Sequence, residues 1–267
     1  QKQAYLPGLA AGTSIGCFAL GESAGQTSAS SLTTKADGSS VTGVKIPVAD
    51  GDIANFAIVV ATSNKGDGAS LYIVDLDQDG VSRESITTID PSRSHAKVTL
   101  NAANAELLGE DGRGWSHVQA ILNRAAVLFA WEQVGGCDTA LNMAKDYAMS
   151  RFAFGRPIAT YQAIKHKLAN IYVKNTLARS NCYYGAWAIS TDAEELPIAA
   201  ATARVSSIQA YYYASKENVQ THGGMGFTWE FDCQFPYRRS KLLATNIGSE
   251  ATWQDKLITA IEKQRAA

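Results

Sequence analysis

Residues Tyr147–Leu168 read YAMSRFAFGRPIATYQAIKHKL, and the rest of the chain is organised around them. The stretch closes one long apolar helix, turns through Phe154-Gly155-Arg156-Pro157, and opens another helix at about Tyr161. Gly155 can take the positive φ that ends a helix, and Pro157 forbids a simple continuation. Arg151 and Phe154 sit on that corner, and Gln162 follows at the start of the next helix. A guanidinium pairs with phosphate and a Phe ring stacks on flat rings, so the corner suits a flat, anionic ligand such as a nucleotide. The same residues also fit an ordinary corner between helices, with a solvated Arg and a core Phe. Spacing alone leaves both readings open.

Working outward, the chain changes character near residue 112. The segment before it is rich in Gly, Ser, Thr, Val and Asp, with β-prone runs at Ile15–Leu20, Val41–Val48, Phe56–Thr62, Ser70–Val74 and Ala96–Leu100. Asp37-Gly38, Asp50-Gly51, Asp67-Gly68 and Asp79-Gly80 punctuate these runs. Strands so short and evenly spaced predict a small antiparallel barrel or sandwich over residues 1–112. Residues 113–267 read as helical throughout. Helices are predicted over Trp115–Ser150, Tyr161–Ser190, Pro197–Thr221, Glu230–Leu243 and Ala251–Lys263. The fold class is therefore a multidomain α+β chain, an antiparallel β-barrel domain followed by an antiparallel helical bundle.

Composition limits the function. The 267 residues are 46% hydrophobic and 18% charged, with net charge −1. That is ample for a core, and it argues against a nucleic-acid or anionic-membrane surface as the main role. Cys17, Cys137, Cys182 and Cys233 form no Cys-x-x-Cys pair, as expected of reduced thiols in a cytoplasmic protein. No apolar run follows Gln1–Tyr5 as a signal peptide would require, and the longest, Ala125–Trp131, is too short to span a bilayer. A soluble protein with no membrane or nucleic-acid partner is expected. His95, His117, His166 and His222 are scattered and no Glu-x-x-His occurs, so no metal site is expected.

Two other stretches could carry chemistry. Gln220-Thr221-His222-Gly223-Gly224-Met225-Gly226-Phe227 is a glycine-rich break between helices, where backbone amides could approach a phosphate or an adenine edge. A plain interhelical loop fits it too. Phe18-Ala19-Leu20-Gly21-Glu22-Ser23-Ala24-Gly25-Gln26 runs from a strand into a small-residue turn whose backbone could face a flat ring; a tight β-turn is the plainer account.

In this order, FALGE (Phe18–Glu22), YAxxRxxFGxPIxxxQ (Tyr147–Gln162) and QxHGGxGFTxE (Gln220–Glu230) resemble the acyl-CoA dehydrogenase family across nearly the whole chain. The resemblance implies an FAD flavoenzyme of lipid metabolism. Such an oxidoreductase removes hydrogens from the α and β carbons of an acyl-CoA thioester and passes electrons to an electron-accepting protein. It implies an N-terminal helical domain, a middle β domain and a C-terminal four-helix bundle, of which the first is expected to be absent here. Phe18, Leu20 and Gly21 then correspond to the strand beside the flavin ring, and Gly25 with Gln26 to the turn near its pyrophosphate. Arg151, Phe154 and Gln162, joined by Gln220, Gly223 and Gly224, correspond to contacts with the adenosine diphosphate half of an FAD bound mainly by a neighbouring subunit. A cofactor divided in this way requires an oligomer, with itself or with a homologous subunit.

The departures are as informative. Many members carry a hydroxyl residue at Gly21, and Trp and Thr where this chain has Pro47 and Ala49. The usual acid–Gly–Thr triplet falls on Ile247-Gly248-Ser249, and the alternative base position falls on Ala125. Neither side chain can take a proton, so the catalytic residue is left unassigned. Glu132, two turns beyond Ala125, and Glu250, three residues past Ile247, are the carboxylates from which a relocated base could come. In character the chain is similar to the base-deficient subunit of bacterial heteromeric, heterotetrameric dehydrogenases, several of which act on CoA thioesters of steroid side chains. A self-sufficient dehydrogenase with a relocated base, and a cofactor-free structural or assembly subunit, remain the alternatives.

Overall fold

The computed structural model describes residues 1–23, 25 and 27–266, and the chain divides into two compact units, Gln1–Ala120 and Ile121–Ala267. The first unit contains a helix, α1 (Lys2–Ala11), and eight strands. These are β1 (Gly16–Ala19), β2 (Lys35–Asp37), β3 (Ser40–Ala49), β4 (Phe56–Thr62), β5 (Ala69–Asp75), β6 (Val81–Ser85), β7 (His95–Asn104) and β8 (Glu106–Leu108). The β-branched residues Val41, Val48, Val59, Val74 and Val98 fill its core, which explains why these segments are strands.

The expected closed antiparallel barrel is instead an open, mixed sheet. Its order is β6-β7-β3-β2-β4-β5-β8, with β1 also on β4. β1 runs parallel to β4, and Lys35 of β2 meets Thr62 of β4 in parallel. β7 and β8 are consecutive in the chain, yet β7 pairs with β3 and β8 with β5. The sheet therefore bends over its own core. Its edges are short or charged: β6 is mostly exposed and carries Arg83 and Glu84, and β8 is three residues long, with the Leu107 carbonyl met by Gln1 Nε2 at 2.8 Å. α1 has no apolar stripe to betray it, since none of its residues is buried and Pro7 lies inside it. It is anchored by Tyr5, whose ring packs on Phe56 at 4.8 Å.

Helix α2 (Gly114–Ser150) is 37 residues long, about 55 Å. Its start is fixed by Asp67, whose carboxylate accepts hydrogen bonds from Trp115 N at 3.0 Å and Ser116 N at 2.7 Å. The second unit continues with α3 (Gln162–Ser190), α4 (Leu196–His222), α5 (Gln234–Leu243) and α6 (Glu250–Ala266). α4 packs against α3, α5 and α6. It can do so because Ala199, Ala200, Ala201, Ala203, Ala210 and Ala214 are all buried, and small residues allow close approach. Among the described residues no helix is long and apolar enough to cross a membrane. No group of three or more potential metal ligands occurs among them.

Two adjacent glycines in α2 separate packing from propensity. A Cβ at Gly135 would meet nothing within 4 Å, whereas one at Gly136 would lie 2.5 Å from the buried Tyr211 ring. Gly135→Ala should raise unfolding stability by about 0.5–1 kcal/mol through helix propensity. Gly136→Ala should lower it by about 1–3 kcal/mol through overpacking. Denaturant titration of both variants checks the contrast; equal shifts would contradict it.

Candidate functional site

The corner after α2 is a tight hairpin rather than a simple helix–helix turn. Phe152–Ala153 pairs antiparallel with Arg156–Pro157, and Phe154 and Gly155 both have positive φ, 53° and 78°. Such a two-residue turn needs that backbone at both central positions, and glycine meets it freely while Phe does so at a cost. Phe154 is nonetheless 97% exposed, which excludes the core-Phe reading. Arg151 is exposed too, and its carbonyl accepts from Ile158 N at 2.8 Å. Tyr161 closes the corner: its hydroxyl donates to the Ala153 carbonyl at 2.9 Å, and the Arg156 guanidinium lies 4.2 Å from its ring centroid. Gln162, exposed, is therefore held beside the hairpin as the first residue of α3.

The glycine loop belongs to the same neighbourhood. His222, buried at the end of α4, stacks on Tyr147 at 4.2 Å, and Arg151 N donates to the Tyr147 carbonyl at 2.8 Å. Phe231 meets both rings edge-on. The Nδ1 of His222 hydrogen-bonds the Asn218 carbonyl at 2.9 Å, which fixes the ring. Gln220 is exposed in the last turn of α4. Gly223 has φ 60° and ψ −135°, a conformation open essentially to glycine alone. A Cβ at Gly223 or Gly224 would meet nothing within 4 Å, so the loop presents bare backbone to open space. Beside it lies a cavity of ≈ 390 Å³ lined by Lys216, Gln220, Phe227, Gln234, Tyr237 and Arg238, among others. Two sequence motifs thus converge in one unit as exposed cation, ring, amides and backbone. The arrangement can bind a flat anion.

Phe18, Leu20 and Gly21 belong to the sheet unit. Phe18 is half-buried in β1, paired with Ile58. Leu20 and Gly21 follow, and the Gly21 carbonyl accepts from Ile46 N at 2.8 Å. Gly25 is exposed with φ 114°, and Gln26 lies outside the described residues. Pro47 and Ala49 are both in β3.

Sequence reasoning missed a buried ion pair at this end of β1. The Lys45 ammonium, fully buried, donates to Val60 O at 2.6 Å, Glu22 Oε1 at 2.7 Å and Leu20 O at 3.3 Å. Glu22 in turn accepts from Thr33 N and Thr33 Oγ1, both at 2.6 Å, and from Thr34 N at 3.0 Å. Burial pushes the Glu22 carboxyl up, but the hydrogen bonds from Lys45, Thr33 and Thr34 outweigh it and bring it down to about 2. Burial pulls the Lys45 ammonium down, opposed by its bond to Glu22 and the carboxylate charge. No motif marks such a pair; its two residues are ordinary until the strands bring them together.

The positions where a base would be sought are occupied otherwise. Ile247 packs against the cluster of Ala126, Val127, Ala200, Ala201 and Trp253. Arg204, fully buried and missed in the sequence, holds the preceding turn by hydrogen bonds to the Leu243 carbonyl, to Asn246 Oδ1 at 2.9 Å and to Gln133 Oε1 at 2.9 Å. Burial lowers its guanidinium to about 10, against the pull of Glu132. Glu132 is ion-paired with Arg239, whose Nε donates at 2.9 Å. Glu250 Oε1 accepts from Gln209 Nε2 at 2.7 Å and Gln254 Nε2 at 3.1 Å.

Residues 112–260 match the family model for the acyl-CoA dehydrogenase C-terminal domain. The chain is 33% identical over 243 residues to acyl-CoA dehydrogenase IpdE2 of Mycobacterium tuberculosis, covering 89% of this chain and 68% of that protein. It is 33% identical over 203 residues to IpdE2 of Mycolicibacterium smegmatis, covering 75% of this chain and 57% of that one. It therefore spans only part of the length of the curated relatives it matches. A variant of the Tcur3481–Tcur3483 steroid ACAD superposes with TM-score 0.87 at 26% identity, over 100% of this chain and 72% of that chain. Butyryl-CoA dehydrogenase of Megasphaera elsdenii, at 23% identity, shares the fold with TM-score 0.91 over 97% and 71% of the two chains. With more than half of its residues matched by the family model and a relative at this level of identity aligned along most of it, the chain belongs to the acyl-CoA dehydrogenase family, whose members are FAD-dependent enzymes.

Proposed function

We propose that this chain is the FAD-binding subunit of an acyl-CoA dehydrogenase carrying out α,β-dehydrogenation of an acyl-CoA thioester, with a partner chain supplying the catalytic carboxylate. The observation that carries this reading is Ile247. Ile247, which stands where the resemblance puts the family's acid, is apolar, partly buried and packed against an apolar cluster. Abstraction of an α-proton needs a desolvated carboxylate within hydrogen-bond reach, and an Ile offers none. Glu132 and Glu250 are already engaged, by Arg239 and by two glutamines.

The residues present fit FAD. Arg151 offers a charge-assisted contact for a phosphate and Phe154 an unencumbered ring for stacking. Gln162 and Gln220 offer amides, and the loop at Gly223 and Gly224 leaves backbone accessible. Phe18, Leu20, Gly21 and Gly25 would stand at the flavin side of the sheet unit. When bound, FAD supplies the acceptor for the β-hydride. The chain's own part is to hold and orient it.

Such sharing of a cofactor calls for an oligomer, with a homologous chain or with itself. Exposed apolar residues on α3 (Tyr172 62%, Leu177 61%, Tyr183 61% and Trp187 47%) suit a subunit contact. The likeness to a steroid ACAD favours a steroidal acyl group, and four buried free thiols suit a cytoplasmic setting.

Arg151→Ala should weaken FAD binding by roughly 30-fold, the loss of one charge-assisted contact of ~2 kcal/mol. Equilibrium dialysis checks this, and unchanged flavin content would count against the role of the corner. In the assembled enzyme, Glu132→Gln and Glu250→Gln should leave turnover within about threefold of the parent. Loss of a general base costs ~10²–10⁴ in rate, so a fall of that size in either variant would show the base to reside on this chain. A colourless protein that takes up no added FAD would favour a cofactor-free structural subunit.

A further inference from the structure

We propose that Lys45 and Glu22 are positioning residues that set the Leu20–Glu22 segment at the end of β1 for the flavin. This rests on the reading that Phe18, Leu20 and Gly21 face that ring. β1 leaves β4 after Ala19↔Val59, and β2 meets β4 only at Lys35↔Thr62. In the interval the Val60 carbonyl is met by the Lys45 ammonium, which also holds the Leu20 carbonyl and the Glu22 carboxylate. An ammonium has three N–H donors, and all three have acceptors here. The Glu22 carboxylate passes the constraint on to the backbone at Thr33 and Thr34. The residue after Lys45 adds a direct clasp, with Ile46 N donating to Gly21 O at 2.8 Å. A Cβ at Gly21 would lie 2.9 Å from the Ile46 carbonyl, so the two segments are already at closest approach.

A buried ion pair loses in desolvation most of what its attraction returns, so apolar replacement of both partners often leaves stability unchanged. What such a pair provides that an apolar pair cannot is direction. Here it fixes three carbonyl and carboxylate oxygens around one nitrogen, and so fixes the path of residues 20–22. Because Lys45 and Glu22 also satisfy backbone groups, stability and cofactor geometry have to be read by separate measurements.

The test compares the parent chain, Glu22→Gln, and the double variant Lys45→Met/Glu22→Leu. Thermal unfolding by circular dichroism gives stability, and FAD titration with the visible flavin spectrum gives cofactor geometry. The expected result is a folded double variant with a lower melting temperature, because Val60 O, Leu20 O, Thr33 N and Thr34 N lose these partners, together with an FAD dissociation constant raised tenfold or more and a shifted flavin band. Glu22→Gln keeps the shape of the side chain and guards against a double variant that does not fold; it should show the same band shift with a smaller loss of affinity. Variants that are less stable yet bind FAD with parental affinity and spectrum would overturn the positioning role while leaving FAD binding intact. A parent chain that binds no FAD would overturn both.

Discussion

The helical unit's candidate site depends on one contact, the stack of Tyr147 on His222 at 4.2 Å. Tyr147 lies in the last turn of α2, one turn before Arg151, and His222 immediately precedes the glycine loop. Seventy-odd residues and two long helices separate them in the chain. Without that stack the Arg–Phe corner and the bare backbone at Gly223 and Gly224 would be unrelated surface features. With it, a cation, an exposed ring, the side-chain amides of Gln162 and Gln220 and an exposed glycine loop share one end of a bundle. His222 is buried, Tyr147 is half-buried and the His222 ring is fixed by the Asn218 carbonyl, so the arrangement is set in the packing before any ligand arrives.

A second constraint acts on the turn between α5 and α6. Arg204 satisfies the Leu243 carbonyl and Asn246 from inside the bundle, and Ile247 follows with its side chain against Ala126, Ala200 and Trp253. A carboxylate in such surroundings would lose hydration, which is what a base for a weakly acidic carbon requires. Ile247 instead packs, partly buried, against that apolar cluster. The anchoring of the turn by Arg204 is compatible with the proposal that this chain contacts the cofactor and depends on another chain for proton abstraction.

Much of this was legible in the sequence because it follows from local periodicity. The long helices begin and end close to where their apolar stripes and the Gly and Pro signals put them, and the buried valine strands stand out by composition. β6 and β8 carried no such signal: β6 is exposed, β8 is three residues, and neither alternates. α1 was hidden by Pro7 and by the absence of any buried residue. Closure of the sheet could not be judged, since it depends on which edges meet, a matter of long-range pairing. The same holds for the site. Arg151, Phe154 and the glycine loop could be picked out as candidates, but their spacing fitted an ordinary corner and a plain loop as well. The Lys45–Glu22 pair and Arg204 could not be, because a buried charge is defined by partners that arrive from distant strands and turns.

The central claim, that this chain contacts FAD but lacks its own base, is tested most directly by anaerobic mixing of the FAD-loaded chain with an acyl-CoA, with and without a homologous acid-bearing chain, while flavin absorbance is followed. The account predicts that the flavin of this chain alone stays oxidised and bleaches only when the partner is present, with a rate difference of ~10²–10⁴. Rapid bleaching by the isolated chain would contradict it.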